Sequence, residues 1–383
     1  MSVILYIGGF ELPNKNAAAQ RVLSNAKLFR DTGNEVVLIG LSKDAVKIEH
    51  FTFEGFCCYN LPYPHSITQW YEYLLTIKWY ESFLSSMSPN IVIAYNHPAI
   101  ALNKLLLYNR KHRIITLSDC TEWYEPQGNL LFRLIKGWDV NHRMYNVHCK
   151  LDGIITISRY LDDFYKQRGM KTLLLPPLVD IHETKWQKES HNYDKDIKLI
   201  YAGSPAGTKD RLDFMIESLN EVAMQGRNFE FNIVGITEDE YRKVYLNGLA
   251  ASIPDFVHFY GRIPHENVIE MLKNSDFQIF LRENHLANNA GFPTKFAETI
   301  SAGTIVLTNP SSNIKDYMLE GVNSFELDLS SKMTLVNTLF NPLSLSKEEI
   351  KHRKDKIDTS IFDYRKYTLE TKDFLDSLYE KMA

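Results

Sequence analysis

Hydrophobic positions divide the chain into two halves, each of which alternates short apolar runs with longer amphipathic stretches. The apolar runs of the first half are SVILYI, EVVLIGL, NIVIAYN, RIITL, GIITI and TLLL. Those of the second half are KLIYAG, FEFNIVG, VHFYG, FQIFL and TIVLTN. Most lack the strict alternation of a one-sided sheet, so they predict parallel strands covered on both faces by the intervening helices.

The proline pair at Pro176 and Pro177, followed by a polar stretch, predicts a boundary between two domains. We expect an N-terminal Rossmann-like domain over residues 1–176, a linker over 177–196 and a second domain over 197–361. Residues 362–383 are predicted to form a C-terminal helix that packs back on the N-terminal domain. The fold class is therefore α/β, with two doubly wound domains facing a central cleft at the carboxyl ends of their strands.

Composition narrows the function classes. The 383 residues carry a formal net charge of −4, which does not favour nucleic-acid binding. The four cysteines have no metal-ligand spacing, so neither a zinc site nor a disulfide framework is predicted. No apolar run approaches the length of a membrane span and no basic leader opens the chain, which predicts a soluble, cytoplasmic protein.

The strongest functional signal follows the run FQIFL. Arg282 lies directly after that strand, and Gly291, Phe292, Pro293 and Thr294 open a helix whose N-terminus can bind a phosphate. Glu298 lies one turn after Thr294, where its carboxylate can accept both hydroxyl protons of a ribose. The alternative is that Glu298 only complements the helix dipole.

A second loop, after KLIYAG, begins at Gly203 and carries Lys209 at a helix start, a position suited to a diphosphate. Lys209 as a solvated helix-start residue is the alternative. In a third loop, Arg262 can reach a phosphate and the Ile263 backbone can contact the edge of a nucleobase. The alternative is that these residues form a plain turn.

Candidate residues in the N-terminal domain also follow strands. Gly9 allows close backbone approach, and Asp119 could bind sugar hydroxyls or act as a base, with a helix N-cap as its alternative role. The remaining candidates for acceptor binding are Asn16, Arg21, His97 and Glu122, with a structural role for His97 as the favoured alternative.

Together these residues resemble bacterial GT-B glycosyltransferases of the family-four type, across essentially the whole chain. The most specific part is GFPTKFAETISAGTIVLTNPSSNIKDYMLEGVNSF, which is similar to the donor-binding region of capsule and polysaccharide sugar transferases. The resemblance implies a nucleotide-diphosphate sugar in the C-terminal domain and an acceptor in the N-terminal domain. It also implies that Lys209 holds the diphosphate, that Glu298 holds the ribose and that the sugar is transferred with retention.

Three positions depart from the family pattern. Ala290 stands where the family has the first of two paired acids, Ser204 where an arginine often accompanies the lysine, and Ser118 and Asp119 where many relatives have a histidine. Arg282 is our candidate replacement for the missing arginine, so Asp119, Lys209 and Arg282 form the predicted catalytic set. No metal or cofactor is predicted, because two cations and a helix dipole can stabilise a leaving diphosphate.

We therefore predict transfer from a UDP- or GDP-sugar to a glycan or lipid-linked acceptor in surface polysaccharide synthesis. A nucleotide-sugar epimerase and a catalytically silent sugar-nucleotide-binding subunit are the alternatives. The apolar and basic segment around Arg133 and Lys136, together with four of the five tryptophans, predicts peripheral contact with the inner face of the cell membrane. Helices packed on the sheet are the alternative explanation of that segment.

Overall fold

The computed structural model describes residues 2–13, 15–126, 128–187, 196–203, 210–246 and 252–380. It divides into two compact units. The first comprises Met1–Leu178, Asn289–Phe292 and Tyr364–Ala383, and the second comprises Val179–Asn288 and Pro293–Asp363.

The first unit contains an eight-stranded sheet in the order β3-β4-β2-β1-β5-β6-β7-β8. All neighbours are parallel except β3 and β4. Its strands are β1 (Ser2–Gly8), β2 (Asn34–Ser42), β3 (Glu49–Phe53), β4 (Phe56–Pro62), β5 (Ile91–Tyr95), β6 (Ile115–Cys120), β7 (Gly153–Thr156) and β8 (Thr172–Leu174). Its first helices are α1 (Ala17–Asp31), α2 (Ile67–Leu75), α3 (Glu81–Met87), α4 (Ala99–Lys111), α5 (Leu130–His142) and α6 (Arg159–Lys166).

The second unit contains a six-stranded, wholly parallel sheet in the order β11-β10-β9-β12-β13-β14. Its strands are β9 (Ile197–Ala202), β10 (Phe229–Val234), β11 (Val257–Gly261), β12 (Phe277–Phe280), β13 (Ile305–Thr308) and β14 (Ser324–Glu326). The helices that follow are α7 (Leu212–Met224), α8 (Glu238–Tyr245), α9 (His265–Lys273), α10 (Leu286–Ala290), α11 (Thr294–Ser301), α12 (Lys332–Phe340) and α13 (Lys347–Lys354). The chain then returns to the first unit as α14 (Thr368–Glu380).

Local sequence signals explain where the first helix begins and ends. The Asn16 side chain accepts a hydrogen bond from the Ala19 backbone N–H at 2.9 Å and so caps α1. Gly33 follows the last turn with φ of +89°, a conformation that glycine adopts without a Cβ penalty. The apolar face of α1 then packs into the core of the first unit through residues such as Val22 and Phe29.

The α/β fold class predicted from the sequence is confirmed, and each predicted apolar run forms a strand. The sequence analysis missed the antiparallel hairpin of β3 and β4 and the short strand β14. The segment predicted as a linker is in part packed within the second unit, where Val179 bridges Asp363 and Trp186 is buried. Helix α14 contributes Phe374, Leu375 and Leu378 to the core of the first unit.

Candidate functional site

Strands β9 and β12 are parallel neighbours in the second sheet. From β9 the chain continues to β10 and β11 on one side, and from β12 it continues to β13 and β14 on the other, so the strand order reverses between β9 and β12. Open α/β sheets bind ligands at such a switch point, outside the carboxyl ends of the strands. Gly203 immediately follows β9, and Leu281 and Arg282 follow β12. Two residues predicted from the sequence, Gly203 and Arg282, therefore lie at the switch point.

A buried lysine occupies this place. Lys295 lies in the first turn of α11, and its Nζ donates to Asp210 Oδ2 at 2.6 Å and to the Tyr201 hydroxyl at 2.9 Å. The ammonium also lies 4.1 Å from the centre of the Tyr201 ring. Only 13% of the Lys295 side chain and 5% of the Asp210 side chain are exposed, so this ion pair is nearly removed from solvent.

Arg282 adds a second cation to the same cluster. Its backbone pairs with Asp210 in an isolated bridge and is fixed on the other side by Asn309, which accepts from the Arg282 N–H at 2.8 Å. Arg282 Nε and Asp210 Oδ1 are buried, and neither has a hydrogen-bond partner among the described residues. Two cations, Lys295 and Arg282, therefore act on the same buried carboxylate at the switch point.

The pKa shifts in the cluster follow from burial and from this charge balance. Burial lowers the pKa of Lys295, against the opposing effect of Asp210, and burial also lowers the pKa of Arg282. Burial alone would raise the pKa of Asp210, but Lys295 and Arg282 lower it overall. An additional anion at this position would offset the cost of burying the two cations.

The helix start next to the cluster lacks a side-chain cap. Pro293 is the N-cap residue of α11, and its side chain forms no capping hydrogen bond. Pro293 and Phe292 are buried, whereas Gly291 and Thr294 are half-buried. Because the first N–H groups of a helix have no intrahelical partner, this end of α11 favours an anion. Gly291 and Phe292 are grouped with the first unit, where the Ala290 carbonyl accepts from Ser158 Oγ at 2.6 Å.

Glu298 is paired with a residue that the sequence analysis did not single out. His265, the first residue of α9, lies with its Nε2 3.0 Å from Glu298 Oε1, and both side chains are only partly exposed. The carboxylate predicted to hold a ribose is therefore held in place by an imidazole. Arg262 is largely exposed and its guanidinium donates to Glu240 at 2.8 Å, while Ile263 beside it is half-buried.

The predicted N-terminal base is enclosed in the first unit. Asp119 is fully buried in β6 and accepts hydrogen bonds from Arg21, at 2.7 Å from Nη2, and from the Tyr6 hydroxyl and the Asn25 amide. Arg21 also donates to the carbonyl of Leu175 at 2.9 Å. The alternative of an N-cap is wrong, because Asp119 lies within a strand. The geometry favours a structural ion pair for Asp119 and Arg21. We therefore assign Asp119 no catalytic role and Arg21 no role in acceptor binding.

The other predicted N-terminal residues do not form a single cluster. Asn16 caps α1 and is exposed, as are Gly9 and Glu122. His97 is fully buried after β5, and burial, reinforced by Arg143, lowers its pKa to about 4. Lys209, the predicted diphosphate lysine, lies outside the described residues, as does Ser204.

Sequence reasoning missed Tyr201, Asp210, Lys295 and His265. Lys295 lies inside the motif GFPTKF, and Asp210 follows Lys209 directly, so both were adjacent to residues that had been singled out. Charged residues in loops that follow neighbouring strands converge at the switch point, and this rule could have indicated Lys295 and Asp210. A Tyr side chain in the middle of an apolar strand carried no such signal.

Comparison with known proteins agrees with this location. Residues 182–354 match the family model described as Glycosyl transferases group 1, a range that includes Asp210, Arg282, Lys295 and Glu298. No curated protein sequence matches the chain. The residues of the cationic cluster thus lie within the segment that matches this family model.

Solved structures are similar over the whole chain. The chain has the GT-B fold. Sucrose-phosphate synthase from Thermosynechococcus elongatus is 12% identical with a TM-score of 0.68, covering 99% of each chain. Anabaena HepE in complex with UDP-glucose is 13% identical with a TM-score of 0.68, covering 98% of this chain and 100% of that one. WaaG, a glycosyltransferase of lipopolysaccharide biosynthesis, is 15% identical with a TM-score of 0.62, covering 96% and 98%.

Gly203 provides a direct test of how tightly Lys295 is held. A Cβ on Gly203 would lie 2.3 Å from Lys295 Cε, and the φ of +147° also disfavours any other residue. We expect Gly203→Ala to lower the free energy of unfolding by about 3 kcal/mol, because Lys295 must leave Asp210 to make room. Chemical denaturation measures this loss.

Gly226→Ala is the matched control. Gly226 also has a positive φ, of +87°, but no atom of the described residues lies within 4 Å of a Cβ there. Its substitution should cost about 1 kcal/mol, from the backbone conformation alone. Equal losses for the two variants would show that Lys295 is not fixed by its contacts.

Proposed function

We propose that the protein is a glycosyltransferase that moves a sugar from a nucleotide-diphosphate sugar to a hydroxyl of a glycan or lipid-linked acceptor, in surface polysaccharide synthesis. The observation that carries the proposal is the pair of partly buried cations, Lys295 and Arg282, at the switch point of the segment that matches the group 1 family model. A nucleoside diphosphate presents the negative charge that this cluster lacks. HepE, a structural neighbour, is described in complex with UDP-glucose, which supports the choice of ligand class.

The proposed reaction forms a bond between the acceptor oxygen and the anomeric carbon and breaks the bond from that carbon to the diphosphate. Negative charge then develops on the leaving diphosphate, where Lys295, Arg282 and the N–H groups at the start of α11 stabilise it. These groups supply the compensating charge, so the mechanism is proposed to be metal-independent. Lys209 remains a proposed fourth contributor.

The proton of the acceptor hydroxyl needs a base. Asp119 is enclosed by its ion pair with Arg21, so the proposal assigns that proton to the oxygen of the leaving diphosphate. Such a transfer places acceptor and leaving group on one face of the sugar, which agrees with the retention implied by the family resemblance. Glu298, held by His265, is proposed to bind the ribose hydroxyls.

Incubation with a panel of UDP- and GDP-sugars tests the proposal. We expect one nucleotide sugar to be hydrolysed slowly to free nucleotide without acceptor, and faster when a lipid-linked glycan fraction is added. Formation of an epimer of the donor sugar would instead identify an epimerase. Donor binding without release or transfer under any condition would identify a silent binding subunit.

The exposed surface of α5 supports peripheral membrane contact as a further part of the proposal. Val140 is the one buried residue among those of α5 itself. Six apolar residues of this helix are exposed: Leu130, Leu131, Phe132, Leu134, Ile135 and Trp138. Most of the surface of α5 is therefore not covered by the first sheet. Apolar side chains with an accompanying Arg133 and a tryptophan are typical of a helix that lies in a membrane interface.

None of the described helices is long and apolar enough to cross a bilayer. Because its apolar side chains are exposed, we propose that α5 lies on the inner face of the cell membrane, near lipid-linked acceptors. Ile135→Glu should lower the partition coefficient onto vesicles containing anionic lipid by about tenfold, because a charge enters the apolar face. Flotation of the vesicles measures it.

Met333→Glu is the control for the membrane test, because Met333 is 74% exposed on α12 in the second unit. Its binding to vesicles should match that of the unmodified protein. An equal loss in both variants, or no recruitment of the unmodified protein at low salt, would contradict the assignment of α5.

A further inference from the structure

A second switch point lies in the first unit. The strand order reverses between β1 and β5, so the residues after these strands, Gly9 and Asn96 with His97, meet at one edge of the sheet. Asn96 adopts a φ of +41°, which is uncommon outside glycine. These residues lie at the switch point of the first sheet, just as the cationic cluster lies at the switch point of the second.

Unpartnered polar atoms are concentrated here. Both ring nitrogens of His97, Nε of Arg143 and the hydroxyl of Tyr80 are buried, and the described part of the chain offers none of them a hydrogen-bond partner. They belong to one cluster. The rings of Tyr80 and His97 are 5.6 Å apart, and Arg143 Nη1 donates to the carbonyl of Asn96 at 2.9 Å and lies 3.5 Å from that of His97.

The charge of Arg143 is the decisive feature. Arg143 and Arg21 belong to the same unit and are equally buried, with 3% and 5% of their surfaces exposed. Arg21 is paired with the carboxylate of Asp119, whereas within the described ranges no carboxylate pairs with Arg143. The nearby Asp139 carboxylate is bound by Lys136 and by the Ala99 N–H. The buried Arg143 guanidinium therefore has no paired carboxylate among the described residues, which favours binding of an anion from outside the chain.

Tyr73 lies against both the cluster and Gly9. Tyr73 is half-buried, its ring lies 5.7 Å from that of His97, and its hydroxyl lies 3.7 Å from the position of a Cβ on the exposed Gly9. Tyr73 belongs to α2, a helix without any buried residue of its own. Access to the cluster from the side of Gly9 requires Tyr73, which also packs on Trp79, to move.

We propose that Arg143, His97 and Tyr80 bind a phosphate group at the switch point of the first unit. Three donors are available to its oxygens: the Nε–H of Arg143, a ring N–H of His97 and the hydroxyl of Tyr80. A phosphate also supplies the charge that Arg143 lacks. We assign this phosphate to the acceptor. That assignment rests on the proposed glycosyl transfer.

Tyr80→Phe tests the proposal without removing a charge. The Tyr80 hydroxyl has no partner among the described residues, so a structural role predicts unchanged or slightly raised stability and unchanged phosphate binding. Our proposal predicts that the dissociation constant for inorganic phosphate rises about tenfold while the protein stays folded. Calorimetry should be done in a Lys295→Gln, Asp210→Asn background, to remove phosphate binding at the other switch point.

Two controls separate this inference from the proposed function. Tyr379→Phe removes a hydroxyl that forms a hydrogen bond with Ser2 and not with the cluster. It should leave phosphate binding unchanged. In the otherwise unmodified protein, Tyr80→Phe should bind UDP with unchanged affinity. Tyr80→Phe with unaltered phosphate binding would overturn the inference and leave the donor site intact.

The origin of the phosphate is resolved by a second ligand. Vesicles that contain phosphatidic acid present the same group on a lipid, and Tyr80-dependent binding of both probes supports a lipid-borne phosphate. Tyr80-dependent binding of inorganic phosphate alone supports a phosphate carried by a water-soluble acceptor. Binding of neither probe in a Tyr80-dependent manner would contradict the site altogether.

Discussion

Replacing Lys295 with glutamine should lower kcat/KM for glycosyl transfer by about 10²–10³-fold, the range seen when one charge-stabilising donor is removed from an active site. Lys295 is the more enclosed of the two cations at the switch point, and its Nζ is fixed by Asp210 and Tyr201. It therefore needs no reorganisation when charge develops on the leaving group. Initial rates with the donor identified from the nucleotide-sugar panel measure the loss.

Stability must be separated from catalysis in this experiment. Lys295→Gln alone leaves Asp210 buried without its partner and should destabilise the protein by about 3–5 kcal/mol. The double variant Lys295→Gln, Asp210→Asn removes both charges and should fold while still losing about 10²–10³-fold in kcat/KM. Lys315→Gln, at an exposed ion pair with Glu326, is the matched control and should keep full activity.

A double variant that folds and transfers sugar at the rate of the unmodified protein would show that Lys295 takes no part in binding the diphosphate. Loss of activity in Lys315→Gln of the same size would point to a general effect of removing a lysine. Either result would contradict the assignment of the switch-point cluster.

Asp119→Asn should lower the free energy of unfolding by about 3–5 kcal/mol, because it leaves the Arg21 guanidinium buried without a carboxylate. Asp119 is completely buried and accepts two hydrogen bonds from Arg21 Nε and one from Nη2. Burial and the nearby Asp119 carboxylate also raise the pKa of Tyr6 well above its ordinary value, which keeps the phenol protonated as a donor to that carboxylate. Denaturation by urea measures the change.

Asp44→Asn is the control, since Asp44 forms an exposed ion pair with Lys15 and should contribute less than about 1 kcal/mol. The activity of folded Asp119→Asn should remain within a few-fold of that of the unmodified protein. Unchanged stability together with a loss of transfer above about 100-fold would restore Asp119 as the catalytic base.

The fold was predictable because its signals are local. Apolar runs without alternation mark parallel strands covered on both faces, and Asn16 and Gly33 mark the two ends of α1. The hairpin of β3 and β4 was missed because its residues carry a mixed pattern: Glu49, His50 and Thr52 lie on exposed or half-buried strand positions. Strands at a sheet edge need not be apolar, and the hydrophobic pattern alone does not show them.

The site was only partly predictable, because its chemistry depends on pairing across long stretches of chain. Arg282 and the helix start at Pro293 followed from their place after a strand. Lys295 and Asp210 are 85 positions apart, and nothing in the local pattern indicates that they form a buried ion pair. The same reason explains Asp119: its position after an apolar run suggested chemistry, while its partner Arg21, 98 positions earlier, shows a structural role.

The most direct test is a crystal structure of the protein with its donor nucleotide. We expect the diphosphate to lie within hydrogen-bond distance of both Lys295 Nζ and Arg282 Nε, at the carboxyl ends of β9 and β12, with the ribose hydroxyls bound to Glu298. A diphosphate bound away from Lys295 and Arg282, with their contacts to Asp210 and its neighbours unchanged, would contradict this expectation.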